Sequence, residues 1–341
     1  MNSILFPAEW YPQSAVQLTW PHAGTDWSDM LEEVVPCFVQ IAKEVLKREK
    51  LLVVCPNASE VRTLLGDFDP ERLLLFELAS NDTWARDHGG ISVFVNGQPR
   101  LCDFTFNGWG MKFAANYDNQ LTFLLYGANA FQTEVAYENL LAFVLEGGSI
   151  ESDGQGTLLT TAECLLSPNR NDVLDEAEIE VYLKNVFGLD RILWLRNGFL
   201  AGDDTDSHVD TLARFCDVDT IAYVMPSEDP EDEHFEELCL MEQELHAFKK
   251  KNGDPYRLIG LPMADAVWFE GERLPATYAN FLIINGAVLF PTYDSPKDEL
   301  AKMQLQLAFP DREIVGINCL PLIRQHGSLH CVTMQYPESF V

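Results

Sequence analysis

The chain has 341 residues, of which 47% are hydrophobic and 11% aromatic, so it can bury a large core and is not a disordered protein. Its 53 acidic and 23 basic residues give a formal net charge of -30, which excludes nucleic acid and anionic membranes as partners and favours cationic small molecules. Many of these charges are explained equally by a solvated acidic surface. The chain shows no signal-peptide pattern, no membrane-length apolar run and no metal-type cysteine spacing, which predicts a cytoplasmic protein with free thiols.

Helices and strand pairs are predicted to alternate along the chain. The 3.6-residue apolar period predicts helices over residues 27–50, 232–251 and 296–307, and a buried strand over 51–56. Turn signals predict strand pairs over 91–95 with 100–104, 149–151 with 157–160, 208–215 with 220–224, and 281–284 with 287–290. The Asn96-Gly97 and Asn285-Gly286 turns are the strongest of these signals, because both turn positions need a positive φ.

No linker or low-complexity segment interrupts this alternation. The blocks therefore predict one α/β domain over residues 1–341, built from repeated strand–hairpin–helix–strand units that share little sequence.

Three distant stretches carry side chains suited to a guanidinium group, which is planar, cationic and rich in N–H donors. They are residues 84–87 (WARD), 203–210 (DDTDSHVD) and 326–331 (HGSLHC). Carboxylates bind a guanidinium bidentately, which makes Asp87 and Asp210 the candidate ligands. A turn or helix-cap role explains Asp87 equally well on local sequence alone.

His208 and Asp210 are separated by one residue, so on a strand both side chains would point to the same face. Asp204 would then lie in the loop that approaches this site. A metal site is the rival interpretation of the His and Asp cluster, but no second histidine lies at ligand spacing.

Cys331 is the candidate nucleophile, although a buried structural thiol is the usual role of a single cysteine. Little thiolate forms at neutral pH without help, because a free thiol has a pKa of about 8.5. A bound cation would favour the thiolate, and His208 could accept its proton. Glu146, before Gly147-Gly148, could orient His208 as the third member of a Cys–His–carboxylate set; a strand-end glutamate is the alternative.

Four ordered motifs make the chain resemble the agmatine deiminase family, also described as the Porphyromonas-type peptidylarginine deiminase family, from about residue 6 to residue 337. The motifs are Trp84-x-Arg86-Asp87-x-Gly89, Glu146-Gly147-Gly148 with Asp153-Gly154-x-Gly156-Thr157, Asp204-Thr205-x-x-His208-x-Asp210, and His330-Cys331.

The resemblance implies an α/β fold of the pentein type (an α/β propeller), with five ββαβ-type units around a pseudo-fivefold axis and the active site at its centre. It implies that Cys331 attacks the guanidinium carbon, that Asp87 and Asp210 bind the guanidinium nitrogens, and that His208 is the general acid and base. Glu146 would support His208 and the substrate, and no metal or organic cofactor would be needed.

The same motifs imply that Trp84, Arg86 and Asp204 join Asp87 and Asp210 in binding substrate. The chain departs from the family where Gly90 replaces a common proline, and where residues 326–329 (HGSL) replace a Gly-Gly-Gly-Asn lead-in to the nucleophile. These departures concern the shape of the pocket and hence the choice of substrate.

The favoured function is hydrolysis of agmatine to N-carbamoylputrescine and ammonia through a covalent thiouronium adduct, on a route to putrescine. Deimination of peptidyl or free arginine is the alternative, in which Arg86 or Arg196 would bind the substrate carboxylate. Amidino transfer to an amine and a binding protein without activity are further alternatives. The expected partner is a small cationic guanidino compound, and a homo-oligomer is left open.

Overall fold

Strand pairs and helices alternate along the whole chain in the computed structural model, which describes residues 3–341. The strands of this part are β1 (Ile4–Leu5), β2 (Gln13–Thr19), β3 (Lys50–Cys55), β4 (Leu73–Glu77), β5 (Ile91–Val95), β6 (Gln98–Thr105), β7 (Ala136–Val144), β8 (Ile150–Ser152), β9 (Thr157–Thr161), β10 (Arg191–Leu195), β11 (Ala213–Asp217), β12 (Thr220–Val224), β13 (Arg257–Leu261), β14 (Val267–Phe269), β15 (Glu272–Leu274), β16 (Leu282–Ile284), β17 (Ala287–Thr292), β18 (Glu313–Asn318) and β19 (Thr333–Pro337).

The helices connect these strands. The α-helices are α1 (Leu31–Leu46), α2 (Ala58–Leu65), α3 (Ala85–His88), α4 (Gly108–Met111), α5 (Leu121–Gly127), α6 (Ala162–Leu165), α7 (Glu176–Phe187), α8 (Phe235–Ala247), α9 (Lys297–Ala308) and α10 (Leu320–Ile323). Short 3₁₀ helices cover Ser28–Met30, Pro70–Arg72, Asp118–Gln120, Gly147–Ser149 and Val209–Thr211. Within residues 3–341, no helix is both long and apolar enough to span a bilayer.

Five sheets of three or four strands repeat one pairing pattern, in which a central strand has one antiparallel and one parallel neighbour. The central strands are β2, β6, β9, β12 and β17. The parallel neighbour always follows in the chain after a connection that contains a helix, as a parallel pairing requires. β14 and β15 form a separate hairpin.

Both ends of the chain contribute to one sheet, whose order is β19-β2-β3-β4. β19 pairs antiparallel with β2, with Thr333 opposite Leu18 and Met334 opposite Gln17. This pairing fixes the position of the loop that precedes β19, because the loop must end where the strand begins.

The predicted hairpins at Asn96-Gly97 and Asn285-Gly286 are confirmed with the expected two-residue turns. Asn96 and Gly97 have φ values of 51° and 77°, which is the left-handed region that this turn demands. The predicted helices are also confirmed, as α1, α8 and α9. α1 and α8 have narrower limits than predicted, and α9 is shifted by one residue. α1 ends at Leu46, because Lys50 already belongs to β3.

The prediction that His208 and Asp210 lie on a strand is wrong. Val209–Thr211 is a 3₁₀ helix, His208 is the residue before it, and the strand begins only at Ala213. The Thr205 hydroxyl accepts a hydrogen bond from the His208 backbone N–H (3.1 Å), and the Thr211 hydroxyl donates one to the His208 carbonyl (2.8 Å). These local side-chain bonds favour a turn over an extended ladder.

Candidate active site

The predicted site residues lie in short segments next to strand ends. Asp87 belongs to α3, Gly148 to the 3₁₀ helix Gly147–Ser149, and Asp210 to the 3₁₀ helix before β11. Cys331 lies two residues before β19, and its carbonyl accepts a hydrogen bond from the Arg86 backbone N–H (3.1 Å). These segments pack against one another, so residues far apart in the chain meet.

Asp87, His208 and Asp210 converge on Gly148. A Cβ atom added to Gly148 would lie 2.6 Å from His208 Nδ1, 2.8 Å from Asp87 Oδ1 and 3.1 Å from Asp210 Oδ2. The Gly148 N–H donates to Asp87 Oδ1 (3.0 Å), and His208 Nδ1 lies 3.6 Å from the same oxygen. Glycine is required here because any side chain would separate the three groups.

A cavity of about 230 Å³ exposes Cys331 and Asp87, whereas His208 and Asp210 are not among its lining residues. Asn280 holds the nucleophile loop, because its Oδ1 accepts hydrogen bonds from the N–H groups of His330 (2.8 Å) and Cys331 (3.3 Å) and lies 3.4 Å from Cys331 Sγ. The cavity lining is Gly24, Asp26, Asn81, Asp82, Trp84, Asp87, Trp109, Phe113, Ala114, Asp118, Asp204, Thr205, Gln325, His326, Gly327 and Cys331.

Burial sets the protonation state of the thiol and the imidazole. It raises the pKa of Cys331 well above its usual value, and the charges of Asp210 and Asp87 raise that pKa further. Burial lowers the pKa of His208 to about 3, although Asp210 opposes this shift. Without a ligand, the site therefore holds a neutral thiol and a neutral imidazole at pH 7.

The two carboxylates differ in their electrostatics. Burial, and then the charge of Asp210, raise the pKa of Asp87 well above its usual value. Burial would also raise the pKa of Asp210, but the hydrogen bond from His330 and its charge lower it below its usual value. Asp87 uses Oδ1 for Gly148 and Oδ2 for the Trp109 indole N–H (3.0 Å), while Asp210 Oδ1 is buried with no hydrogen-bond partner among residues 3–341.

Glu146 lies beside His208, but an arginine holds it. The Nε of Arg170 donates to both Glu146 oxygens (2.9 and 3.0 Å), and both side chains are fully buried. Ligand atoms of Glu146, Cys164 and His208 lie within 4.8 Å of one another, a spacing that a metal ion could use. The guanidinium of Arg170 already compensates the Glu146 charge, so this triad does not fit a divalent cation.

Two of the other predicted substrate-binding residues line the cavity. Trp84 packs edge-on against Trp109, with ring centroids 6.1 Å apart. Asp204 lines the same cavity, where burial and then the charge of Asp203 raise its pKa to about 6.

The prediction that Arg86 binds substrate needs correction, because its side chain does not line the cavity that exposes Cys331. It lines a separate small cavity, where its Nη2 lies 3.7 Å from Glu9 Oε2 and its Nη1 lies 3.7 Å from Met334 Sδ. Arg196, the other candidate partner for a substrate carboxylate, is paired with Glu176 at the surface (2.7 Å). Neither arginine is among the residues that line the cavity around Cys331.

Several residues of the site were missed by sequence reasoning. They are Glu9, Trp109, Arg170 and Asn280. Only Trp109 carried a local signal, because it lies between two glycines of Asn107-Gly108-Trp109-Gly110, a pattern typical of a tight turn. The others act through partners that are distant in the chain.

Comparisons with known proteins agree with this geometry. The model of the Porphyromonas-type peptidyl-arginine deiminase family matches residues 5–337. The chain is 32% identical over 365 residues to the agmatine deiminase of Ectopseudomonas mendocina, covering 97% of this chain and 95% of the relative.

Solved structures are similar over the same length. A Porphyromonas gingivalis protein named as a candidate arginine deiminase is 59% identical, with a TM-score of 0.96, covering 99% of this chain and 100% of that one. A cysteine-to-serine variant of C. jejuni agmatine deiminase with substrate bound is 39% identical, with a TM-score of 0.91, covering 98% and 96%. The mixed α/β fold is thus that of agmatine deiminases. The chain therefore belongs to the Porphyromonas-type peptidyl-arginine deiminase family and is a hydrolase acting on C–N bonds.

Proposed function

We propose that this protein hydrolyses agmatine to N-carbamoylputrescine and ammonia through a covalent adduct on Cys331, as a step towards putrescine. The observation that carries the proposal is the convergence of Asp87, His208 and Asp210 on Gly148, next to the cavity that exposes Cys331. Carboxylates suit a guanidinium, and a thiol beside an imidazole suits nucleophilic attack on its carbon.

The charge of the cavity favours agmatine over arginine. Four aspartates line it besides Asp87: Asp26, Asp82, Asp118 and Asp204. Burial raises the pKa of Asp82 and of Asp118 to about 7, so a bound ammonium would stabilise their ionised forms. Among the described residues that line the cavity, none is a lysine or an arginine that could bind a substrate carboxylate.

Substrate binding supplies the charge that the thiol needs. The guanidinium lies against Asp87 and Asp210, and its positive charge favours the thiolate of Cys331 next to it. Neutral His208 accepts the thiol proton, and Sγ then bonds to the guanidinium carbon. His208 returns that proton to one nitrogen, the C–N bond breaks, and ammonia leaves behind a thiouronium adduct.

Water completes the reaction at the same atoms. His208 accepts a proton from the water as the water oxygen bonds to the thiouronium carbon. The C–S bond then breaks, the thiolate leaves, and the hydroxyl loses its proton to solvent as the C=O bond forms. His208 returns its proton to the thiolate, and the neutral ureido product is released. Glu146, whose carboxylate lies within 4.8 Å of a His208 ring nitrogen, supports the charge that His208 carries when protonated, while Arg170 keeps Glu146 in place. Trp84 and Asp204 bind the remainder of the substrate, and no metal or organic cofactor takes part in this scheme.

The five repeated sheets support a closed arrangement of one domain over residues 1–341. We propose that they surround a pseudo-fivefold axis, with the candidate site at its centre. The sheet that combines β19 with β2 joins the two ends of the chain, as a closed ring requires.

The test is ammonia release from agmatine by the wild-type protein and by Cys331→Ala, each with and without a chelator. We expect activity that survives the chelator and falls by at least about 1000-fold in the variant, because the covalent route is lost. Activity retained by Cys331→Ala would overturn the mechanism.

Competition kinetics with agmatine, free arginine and a blocked arginine peptide test the substrate. Faster turnover of the peptide or of arginine would replace agmatine by that substrate while leaving the chemistry in place. Product analysis with an added amine separates hydrolysis from amidino transfer, since transfer would give a guanidino product in place of the ureido product.

A further inference from the structure

His330 precedes the nucleophile in the chain, and both of its ring nitrogens face carboxylates. Nδ1 lies 2.6 Å from Asp210 Oδ2, and Nε2 lies 2.7 Å from Glu9 Oε2. The side chain is almost completely buried, at 1% exposure of the residue. The mechanism above gives this histidine no role.

Both carboxylates are acceptors, but Nε2 also lies 3.0 Å from Arg214 Nη2, which can only donate. Burial would raise the pKa of Glu9, but the charges of His330, Arg214 and Arg86 hold it well below its usual range. The contacts of Nε2 with Glu9 and Arg214 are therefore satisfied with or without a proton on that nitrogen. An ionised Asp210 has no proton to give, so the 2.6 Å contact places a proton on Nδ1.

Glu9 is itself firmly held. Its Oε2 accepts a hydrogen bond from Arg214 Nη2 (2.9 Å), and its Oε1 accepts one from the backbone N–H of Ile283 (2.7 Å). Arg214 also pairs with Glu151, and Arg86 lies 3.7 Å from Glu9. The charged groups around His330 are thus Glu9, Glu151, Asp210, Arg86 and Arg214, all of them buried.

We infer that His330 is a positioning residue for guanidinium capture, which fixes the Asp210 carboxylate through Nδ1 while Glu9 anchors the ring through Nε2. The inference rests on the proposed function, since it concerns how that site binds the guanidinium. His330 takes Oδ2 of Asp210 and leaves Oδ1, which has no partner among residues 3–341, for the substrate N–H. Asp210 therefore offers one oxygen, in contrast to the bidentate contact expected from the sequence.

The arrangement also keeps Asp210 ionised before the substrate arrives. A buried carboxylate without a cation would take up a proton and lose its attraction for a guanidinium. The hydrogen bond from His330 Nδ1 and the buried charge of Arg214 oppose that protonation, and neither occupies Oδ1.

The experiment measures agmatine binding by calorimetry in the Cys331→Ala background, which removes turnover. His330→Gln places an amide N–H near the position of Nε2 and loses the contact with Asp210. His330→Asn places its amide N–H near the position of Nδ1 and keeps that contact. We expect His330→Gln to weaken binding by between about 10-fold and 100-fold, the worth of a hydrogen bond to a charged group. In His330→Asn the increase in the logarithm of the agmatine Kd should be at most about half of that in His330→Gln.

His234→Gln is the matched control, because His234 Nδ1 contacts Asp232 at the same 2.6 Å but lines none of the cavities around the site. It should leave the agmatine Kd unchanged. In parallel, the rate at which iodoacetamide alkylates Cys331 is measured in the single variants that keep Cys331. Iodoacetamide is neutral and does not need Asp210 for binding. The alkylation rate should change by less than about threefold in His330→Gln.

The outcomes separate the two ideas. If the Cys331→Ala parent binds neither agmatine nor arginine, the proposed function fails. If the parent binds agmatine and His330→Gln binds it equally well, the inference about His330 is overturned. The inference is also overturned if His330→Asn and His330→Gln weaken agmatine binding equally and the rate of Cys331 alkylation also falls. His330 would then support only the nucleophile loop.

Discussion

Asp87 and Asp210 lie in one site, yet their neighbours shift their pKa values in opposite directions. Asp87 receives only neutral donors, from the Gly148 N–H and the Trp109 indole, and its pKa is raised by burial. Asp210 contacts His330, and its pKa is lowered although burial opposes this. Such a split is typical of sites that carry out proton transfer, because it separates a permanent charge from one that responds to the ligand.

Trp109→Phe tests the role of the neutral donor to Asp87. The ring is kept but the N–H is lost, so the pKa of Asp87 should rise further, since a hydrogen bond to the charged form has been removed. We expect kcat/KM for agmatine to fall about tenfold at pH 7, as expected for a lost hydrogen bond to a charged group. The ascending limb of its pH profile should move to higher pH, because Asp87 ionises later.

Trp194→Phe is the control for this change, because the Trp194 indole also donates to a carboxylate, Glu180, at 2.8 Å but outside the cavity. Trp194→Phe should not shift the pH profile of kcat/KM for agmatine. If the ascending limb of the pH profile does not move in Trp109→Phe, the hydrogen bond from Trp109 to Asp87 does not determine the position of that limb.

At the scale of elements, short helical turns rather than strands present the reactive groups. α3, the 3₁₀ helix Gly147–Ser149 and the 3₁₀ helix Val209–Thr211 each begin directly after an extended segment or lead into a strand. A sharp turn at a strand end places backbone N–H groups and side chains in one direction, which a flat strand cannot do. Gly148 is the point where two of these turns come close enough to share hydrogen bonds.

Gly148→Ala is expected to separate His208 from Asp87, because the new methyl group would lie under 3 Å from both. We expect ammonia release to fall by at least about 100-fold, since misplacement of about 1 Å near the chemistry has this effect. Gly127→Ala is the matched control, because a Cβ there meets nothing within 4 Å. Equal activity of the two variants would contradict the convergence described above.

At the scale of the whole molecule, buried polar side chains join sheets that are distant in sequence. Glu49, just before β3, accepts a hydrogen bond from the backbone N–H of Asn285 in the β16–β17 turn (3.1 Å). The Asn285 side chain in turn accepts from the Gln13 N–H and donates to the Gln13 carbonyl. Burial raises the pKa of Glu49 to about 7, although Asn285 and Arg312 oppose the shift.

This pKa predicts how stability changes with pH. A carboxyl whose pKa is raised in the folded state holds its proton more tightly there than in the unfolded chain. Its contribution to stability is therefore full below the unfolded value of 4.5, declines as pH rises to about 7, and stays low above that. At pH 8 the ionisation of buried Glu49 lowers the free energy of unfolding by about 3 kcal/mol relative to the protonated state.

Glu49→Gln removes this titration. The free energy of unfolding of the variant minus that of the wild type should be about 2 kcal/mol more positive at pH 8 than at pH 5, as measured by urea unfolding. The variant is thus relatively more stable at pH 8. Other buried carboxyls, such as Asp82 and Asp118, titrate in both proteins and cancel in this difference. A difference that does not vary with pH would show that Glu49 is ionised throughout.

The sequence by itself determined the local structure and the chemical groups. Asn96-Gly97 and Asn285-Gly286 fixed their hairpins, and apolar periodicity fixed α1, α8 and α9, because these signals depend on neighbours within a few residues. The motifs also selected Asp87, His208, Asp210 and Cys331 as candidates for one site, although the strand assigned to His208 was wrong.

Only the tertiary structure decided which side chains meet. Arg86 lies within a matching motif, yet it points into another cavity, because its neighbour Asp87 takes the face towards Gly148. His330 contacts Asp210 across 120 residues and Glu9 across 321 residues. Contacts of that range depend on how the sheets pack and not on any local preference, so no pattern in the sequence could place His330 against both Asp210 and Glu9.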